Sequence, residues 1–144
     1  MQLNKQTDYA LRVLIYLGIR QNDALVNIDD IVDKFHIPRN HLTKIITKLN
    51  KLNLIQTYRG VHGGMRLRQE TLGLSLATIV GFFENTTQVI DCQHLSCPIA
   101  GMCRLKSVLD EASNNFMATL GKYTLGEMLP QDNVHLVRLL QKIG

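Results

Sequence analysis

The chain has no tryptophan, and only three prolines and three cysteines in 144 residues. It also lacks a long apolar run. Asp8, Arg12 and Arg20 interrupt the first helix-like segment, so no signal peptide is expected there. Nothing nears the roughly 18 to 20 apolar residues of a membrane span. The expected setting is a reducing cytoplasm in which thiols stay free, with no membrane partner. Acidic residues are missing from one whole segment. Between Lys34 and Arg68 there is no Asp or Glu, yet Lys34, Arg39, Lys44, Lys48, Lys51, Arg59, Arg66 and Arg68 all fall there. That segment takes eight of the sixteen basic residues, and all twelve acidic residues lie outside it. The net charge of +4 therefore conceals a basic module attached to a body that is acidic on balance. Such placement suggests a polyanion as partner, against the blander reading of a solvated basic face.

Catalytic patterns are absent too. No nucleotide-binding glycine motif follows a strand, and His36, His41, His62, His94 and His135 are dispersed with no nucleophile beside them. An enzyme is not expected; a redox or electron-transfer protein is the weaker alternative.

What is present is a run of helical patterns broken by one hairpin. Leu3, Ala10, Leu11, Val13, Leu14, Ile15 and Leu17 give an apolar stripe and predict a helix over 3–20, with Thr7 or Asp8 able to cap a start within it. Asn27 caps a short helix carrying Ile28, Ile31, Val32 and Phe35. His36-Ile37-Pro38 ends it, with Pro38 placed to open the first turn of the next helix. From Arg39 to Leu52 that helix turns Leu42, Ile45, Ile46, Leu49 and Leu52 inward, and Arg39, Asn40, Thr43, Lys44, Thr47, Lys48 and Lys51 outward. Two helices joined by a tight turn, the second basic outside, make a helix-turn-helix pattern. Residues 54–59 and 65–68 read as strands around Gly60, Gly63 and Gly64, which allow positive φ and close backbone approach to a phosphate or a groove. A hairpin at that point is the wing of a winged helix-turn-helix; an ordinary glycine hairpin without a ligand is the competing reading.

Ser75 is the expected cap of a further helix through Phe83. A long helix from Arg104 to Tyr123 carries Leu105, Val108, Leu109, Ala112, Phe116, Leu120 and Tyr123 on one seam, best explained by pairing with a second copy. A short turn is expected before Pro130, and a terminal helix over 133–143. The fold class is mainly α with a small β-hairpin. Residues 1–83 form a winged helix-turn-helix domain (recognition helix about 39–52, wing about 54–68), 84–103 a cluster-binding loop, and 104–144 a dimerisation helix and tail.

All three cysteines lie in one stretch, Cys92, Cys97 and Cys103, spaced C-x4-C-x5-C. An odd count of crowded thiols argues for a metal or cluster over a disulfide framework. Structural zinc sites pair their ligands more closely and need a second pair. The wider gaps suit an iron–sulfur cluster, with zinc or redox-active thiols as alternatives. Three thiolates leave at least one coordination position to fill. Asp91, His94 and Glu84 are local candidates, Asp8 a remote one, and chemistry alone does not choose. A carboxylate there would be a hard, displaceable ligand and an opening for a small diatomic molecule.

The Thr7-Asp8-Tyr9-Ala10-Leu11-Arg12 start, the helix-turn-helix, the wing Arg59-Gly60-Val61-His62-Gly63-Gly64-Met65-Arg66-Leu67 and the cysteine motif before a long helix together resemble the NsrR family. These are nitric-oxide-sensitive repressors in the superfamily of winged-helix iron–sulfur regulators that includes IscR. The resemblance spans essentially the whole chain. It implies that Cys92, Cys97 and Cys103 ligate the cluster, [4Fe-4S] favoured over [2Fe-2S], with Asp8 of the partner subunit of a homodimer as fourth ligand. It implies a cluster-loaded dimer that represses by binding a near-palindromic, double-stranded operator and releases it on nitrosylation. Candidate DNA contacts are Arg39, Asn40, His41, Thr43, Lys44, Thr47 and Lys48 on the helix, and Tyr58, Arg59, Gly60, His62, Gly63 and Gly64 in the wing. The alternative keeps the DNA and changes the signal to cluster supply or redox state, as in IscR-like regulators. Where IscR has a histidine three residues after its last cysteine, this chain has Lys106.

Overall fold

A stripe of Ala10, Val13, Leu14 and Leu17, three and four apart, makes the first segment a helix with one buried face. In the computed structural model, which describes residues 2–92 and 96–131 together with 134, 135 and 138, this is α1, Lys5–Ile19. Its cap is Asn4, whose side chain accepts the Thr7 N–H at 2.9 Å. The expected caps Thr7 and Asp8 lie inside the first turn instead, because Thr7 is fully buried and its hydroxyl is engaged by Glu84. Helix α2, Ile28–Phe35, opens on a capping box. Asn27 accepts the Asp30 N–H at 3.0 Å, and Asp30 accepts the Asn27 N–H at 3.2 Å. His36 ends it in a left-handed conformation, φ 53. Pro38 stands at the cap of α3, Arg39–Lys51, one place earlier than expected; Leu42, Ile45, Ile46 and Leu49 are the buried face.

The hairpin pairs β1, Ile55–Tyr58, with β2, Gly64–Leu67, so that Ile55 faces Leu67 and Tyr58 faces Gly64. A lone two-stranded hairpin is marginal in water. Here Val26, in the link between α1 and α2, exchanges backbone hydrogen bonds with Met65 at 3.0 and 2.7 Å, so the link acts as a one-residue third strand. Ile55, Met65 and Leu67 point into the same core as Leu14, Leu17, Ile31, Leu42 and Leu49. The result is a mainly α chain whose head is a winged helix-turn-helix.

A 3-10 turn, Gln69–Gly73, leads to α4, Leu76–Phe83, where Ser75 caps as expected by accepting the Thr78 N–H at 3.1 Å. After the cysteine loop and a second 3-10 turn, Ala100–Met102, α5 runs Arg104–Leu120. It stops three residues short of Tyr123 because the chain then pairs back onto the entrance of α4. Leu76 donates to the Tyr123 carbonyl, and Leu125, fully buried, donates to that of Leu74, both at 2.9 Å. A last 3-10 turn, Gly126–Met128, precedes Pro130. The terminal helix expected over 133–143 lies largely outside the described residues.

Helix α5, roughly 25 Å long, gives only part of its apolar stripe to its own chain, where Leu109, Phe116 and Leu120 are half-buried. Its one buried residue is Ser113, which donates to the Thr87 carbonyl, while Leu105 and Val108 are 60% and 52% exposed. The side of α5 that meets its own chain is thus a different one from the side carrying Leu105, Val108 and Ala112.

Candidate functional site

Helix α3 presents its polar face because its apolar face is committed to the core. The polar side chains are not equally available. The Arg39 guanidinium is ion-paired to Asp29 of α2. Asn40 accepts the His41 N–H at 2.9 Å, satisfying one of the donors left over in a first turn. Thr43 and Thr47 donate their hydroxyls to the carbonyls of Arg39 and Thr43, each at 2.9 Å. His41 and Lys44 are exposed. Lys48 is turned to the side: its ammonium lies 4.5 Å over the Phe83 ring. The open face of α3 therefore centres on Asn40, Thr43, Lys44 and Thr47, with Arg39 on one flank and Lys48 on the other.

In the wing, Tyr58, Arg59 and His62 are exposed and Val61 is 98% exposed at the tip. The three glycines do different work. Gly60 has φ +106 and open space around it, so it serves the turn. At Gly63 a Cβ would lie 2.3 Å from the Tyr58 carbonyl oxygen, and at Gly64 2.8 Å from that of Val26. At Gly63 and Gly64 the close neighbour is the protein's own main chain.

The cysteines are all free. Cys92 and Cys103 are half-buried and Cys97 is exposed. Cys103 stands at the cap position of α5, and Lys106 lies close enough to Cys92 and Cys103 to feel both. The Lys106 ammonium is held protonated above its ordinary range, mainly by its hydrogen bond to Asp110 and further by the two thiols. Among the described residues no three His, Cys, Asp or Glu side chains converge on a common centre. As a donor set the thiols nonetheless fit an iron–sulfur cluster: soft, unbridged and accessible, with a cation beside two of them to offset anionic charge.

Asp8 sits one residue from the buried Thr7 and is ion-paired to Arg12, Nε to Oδ1 at 2.8 Å. The guanidinium is raised above its usual range chiefly by that hydrogen bond. Glu84, a candidate fourth ligand, is engaged otherwise. One carboxylate oxygen accepts the Thr7 hydroxyl at 2.5 Å and the Asn4 N–H at 2.9 Å, while the Asn4 amide donates to the Phe83 carbonyl at 2.9 Å. This clasp joins the end of α4, where the cysteine loop departs, to the start of α1, where Asp8 lies. Nothing local in the sequence signals it, since its partners are 77 to 80 residues apart. His94 lies outside the described residues.

A winged helix-turn-helix with an exposed polar face on α3 and a basic wing has the architecture of DNA-binding transcriptional regulators. The profile of Rrf2, described as iron-dependent transcriptional regulator, matches residues 3–131, and the chain belongs to that family. It is 35% identical over 143 residues to the HTH-type transcriptional regulator NsrR of Bacillus licheniformis, covering 97% of this chain and 99% of that one. To NsrR of Geobacillus kaustophilus it is 37% identical over 145 residues, covering 99% and 98%. These bear out the resemblance to NsrR. Among solved structures, T. potens IscR superposes with a TM-score of 0.70 at 20% identity, covering 89% of this chain and 85% of that one, a likeness of fold. No helix among the described residues is long and apolar enough to cross a membrane.

Proposed function

We propose that two copies of this chain form a repressor of operator DNA in which Cys92, Cys97 and Cys103 hold an iron–sulfur cluster and nitric oxide is the signal. [4Fe-4S] is favoured over [2Fe-2S], with Asp8 of the partner subunit as the remaining ligand. The observation that carries this reading is the set of three free thiols between α4 and α5, in a chain related to NsrR over its whole length. A bound cluster supplies iron centres that react with nitric oxide.

The chain's own residues position the parts. The stripe of Leu105, Val108 and Ala112, left open by the subunit's own packing, pairs with that of a second copy. Arg12 orients the Asp8 carboxylate, a hard and weakly held ligand for iron. Asp8 shares a turn with Thr7, and Thr7 is clasped to Glu84, so whatever holds or releases Asp8 acts on the first turn of α1 and on the head behind it. The polar face of α3 lies in the major groove and the wing, through Tyr58, Arg59 and His62, meets the backbone or the neighbouring minor groove. Two-fold symmetry sets half-sites about one helical turn, roughly 34 Å, apart.

The description of the family as iron-dependent favours, as second reading, a regulator of the same construction that senses cluster supply or redox state. One anaerobic operator titration separates the two, comparing loaded, reduced, oxidised, nitric-oxide-treated and metal-free protein. Loss of affinity on nitric oxide treatment of at least tenfold is expected. If nitric oxide abolishes the visible absorbance of the cluster and operator affinity stays unchanged, the nitric oxide reading fails. A response only to oxidation state or metal loss selects the second.

A further inference from the structure

Beside the recognition face, the first turn of α1 and one flank of α3 enclose a groove of about 270 Å3 lined by Lys5, Gln6 and Tyr9 together with His41, Lys44 and Lys48. Three lysines line it and no acidic residue does. The acids near the start of α1 are turned away: Asp8 pairs with Arg12, and Glu84 is held by Asn4 and Thr7. Among the described residues neither Lys5 nor Lys44 has a carboxylate partner, and Lys48 rests on the Phe83 ring. Like charges gathered along a walled groove repel one another and attract an anion from solution.

We infer that this groove is a clamp for a phosphate of the operator backbone, and that Lys5, in a helix outside the helix-turn-helix pair and the wing, is a DNA contact. The inference rests on the reading of the chain as an operator-binding regulator. An α-helix is 10–12 Å across and the major groove about 12 Å wide, so a helix lying there brings both flanks against phosphates. On one flank of α3 stands the wing, where the Thr57 hydroxyl reaches Asn50 at 3.4 Å. The other flank, carrying His41, Lys44 and Lys48, has the α1 turn beside it. The recognition helix is thus bracketed by a backbone contact on each side. The lining side chains are exposed or half-buried apart from Ile45, which suits a strand passing by better than an enclosed small anion. A phosphate contact fixes register without reading sequence. The same turn carries Asp8, so the clamp moves with whatever holds that carboxylate.

The test is fluorescence anisotropy of the full, cluster-loaded protein on labelled operator and on a scrambled duplex, across about 0.05 to 0.3 M salt. Lys5→Gln is compared with wild type and with Lys122→Gln, an exposed lysine beyond α5 and outside the groove. Lys5→Gln is expected to weaken both duplexes by a similar factor, on the order of tenfold near 0.1 M salt, and to make the salt slope shallower by about one. Lys122→Gln should change neither. The clamp is overturned if Lys5→Gln matches wild type in affinity and slope, or if Lys122→Gln lowers the slope equally, since net charge would then be the cause. If wild type itself shows no salt-steep binding to either duplex, the regulator reading falls with it; failure at Lys5→Gln alone leaves that reading standing.

Discussion

Glu84→Ala removes the acceptor that ties the end of α4 to the start of α1. The Thr7 hydroxyl donates to it at 2.5 Å from a fully buried position, where water cannot replace the carboxylate. A hydrogen bond to a charged group is worth about 1.5–3 kcal/mol net, and a buried donor left alone costs about as much. The Asn4 N–H, at 2.9 Å from the same oxygen, is exposed, and solvent takes it over at little cost. The expected loss is about 2–3 kcal/mol, or about 5–10 °C in Tm for a chain of this size. Urea denaturation followed by far-UV circular dichroism measures it. A double-mutant cycle with Thr7→Val assigns it: with the hydroxyl gone, Glu84→Ala should cost about 1–2 kcal/mol less. A loss below about 0.5 kcal/mol, or full additivity with Thr7→Val, would refute the clasp as an energetic link. Because the clasped turn also carries Asp8 and Lys5, Glu84→Ala should lower operator affinity as well as stability.

Two further outcomes follow from the same geometry. Gly63→Ala forces a Cβ onto the Tyr58 carbonyl at 2.3 Å, whereas Gly60→Ala meets no atom but must hold φ +106. The first should cost about 1–3 kcal/mol through overpacking of backbone and disturb the wing, the second about 1–2 kcal/mol through strain. Equal operator binding by wild type and Gly63→Ala, with unchanged wing amide shifts in NMR, would contradict this. Glu127 accepts the Thr124 N–H at 2.7 Å and its hydroxyl at 3.0 Å, which holds the carboxyl below the usual glutamate range. A depressed carboxyl stabilises the fold above the unfolded pKa, and that contribution is lost as pH falls through the folded value. An NMR titration should therefore place the Glu127 midpoint below an ordinary glutamate; a midpoint at or above it would count against the bond in solution.

Local interactions are legible in the residues themselves. Asn27 and Ser75 cap helices because a side-chain oxygen needs only an N–H three residues on, and the sequence displays both. The faces of α1 and α3 follow from spacing, since a helix turns by a fixed angle per residue. Where the expected local structure differs from the one formed, a distant partner has intervened. Thr7 is drawn into the first turn of α1 by Glu84, so the cap falls to Asn4. Arg39 leans on Asp29 of the preceding helix, and Lys48 on Phe83.

The three cysteines, the basic segment free of acids and the order of helices and wing were determined by sequence alone, because each is a matter of residue type and short spacing. The winged helix-turn-helix and the family could be read from that much. Tertiary structure decided the rest: that Val26 completes the wing, that Glu84 is a clasp between α4 and α1, and that Lys5 meets Lys44 and Lys48 in one groove. Each of these joins residues tens of positions apart. No periodicity encodes such a meeting, which exists only once the shared core has brought the helices together.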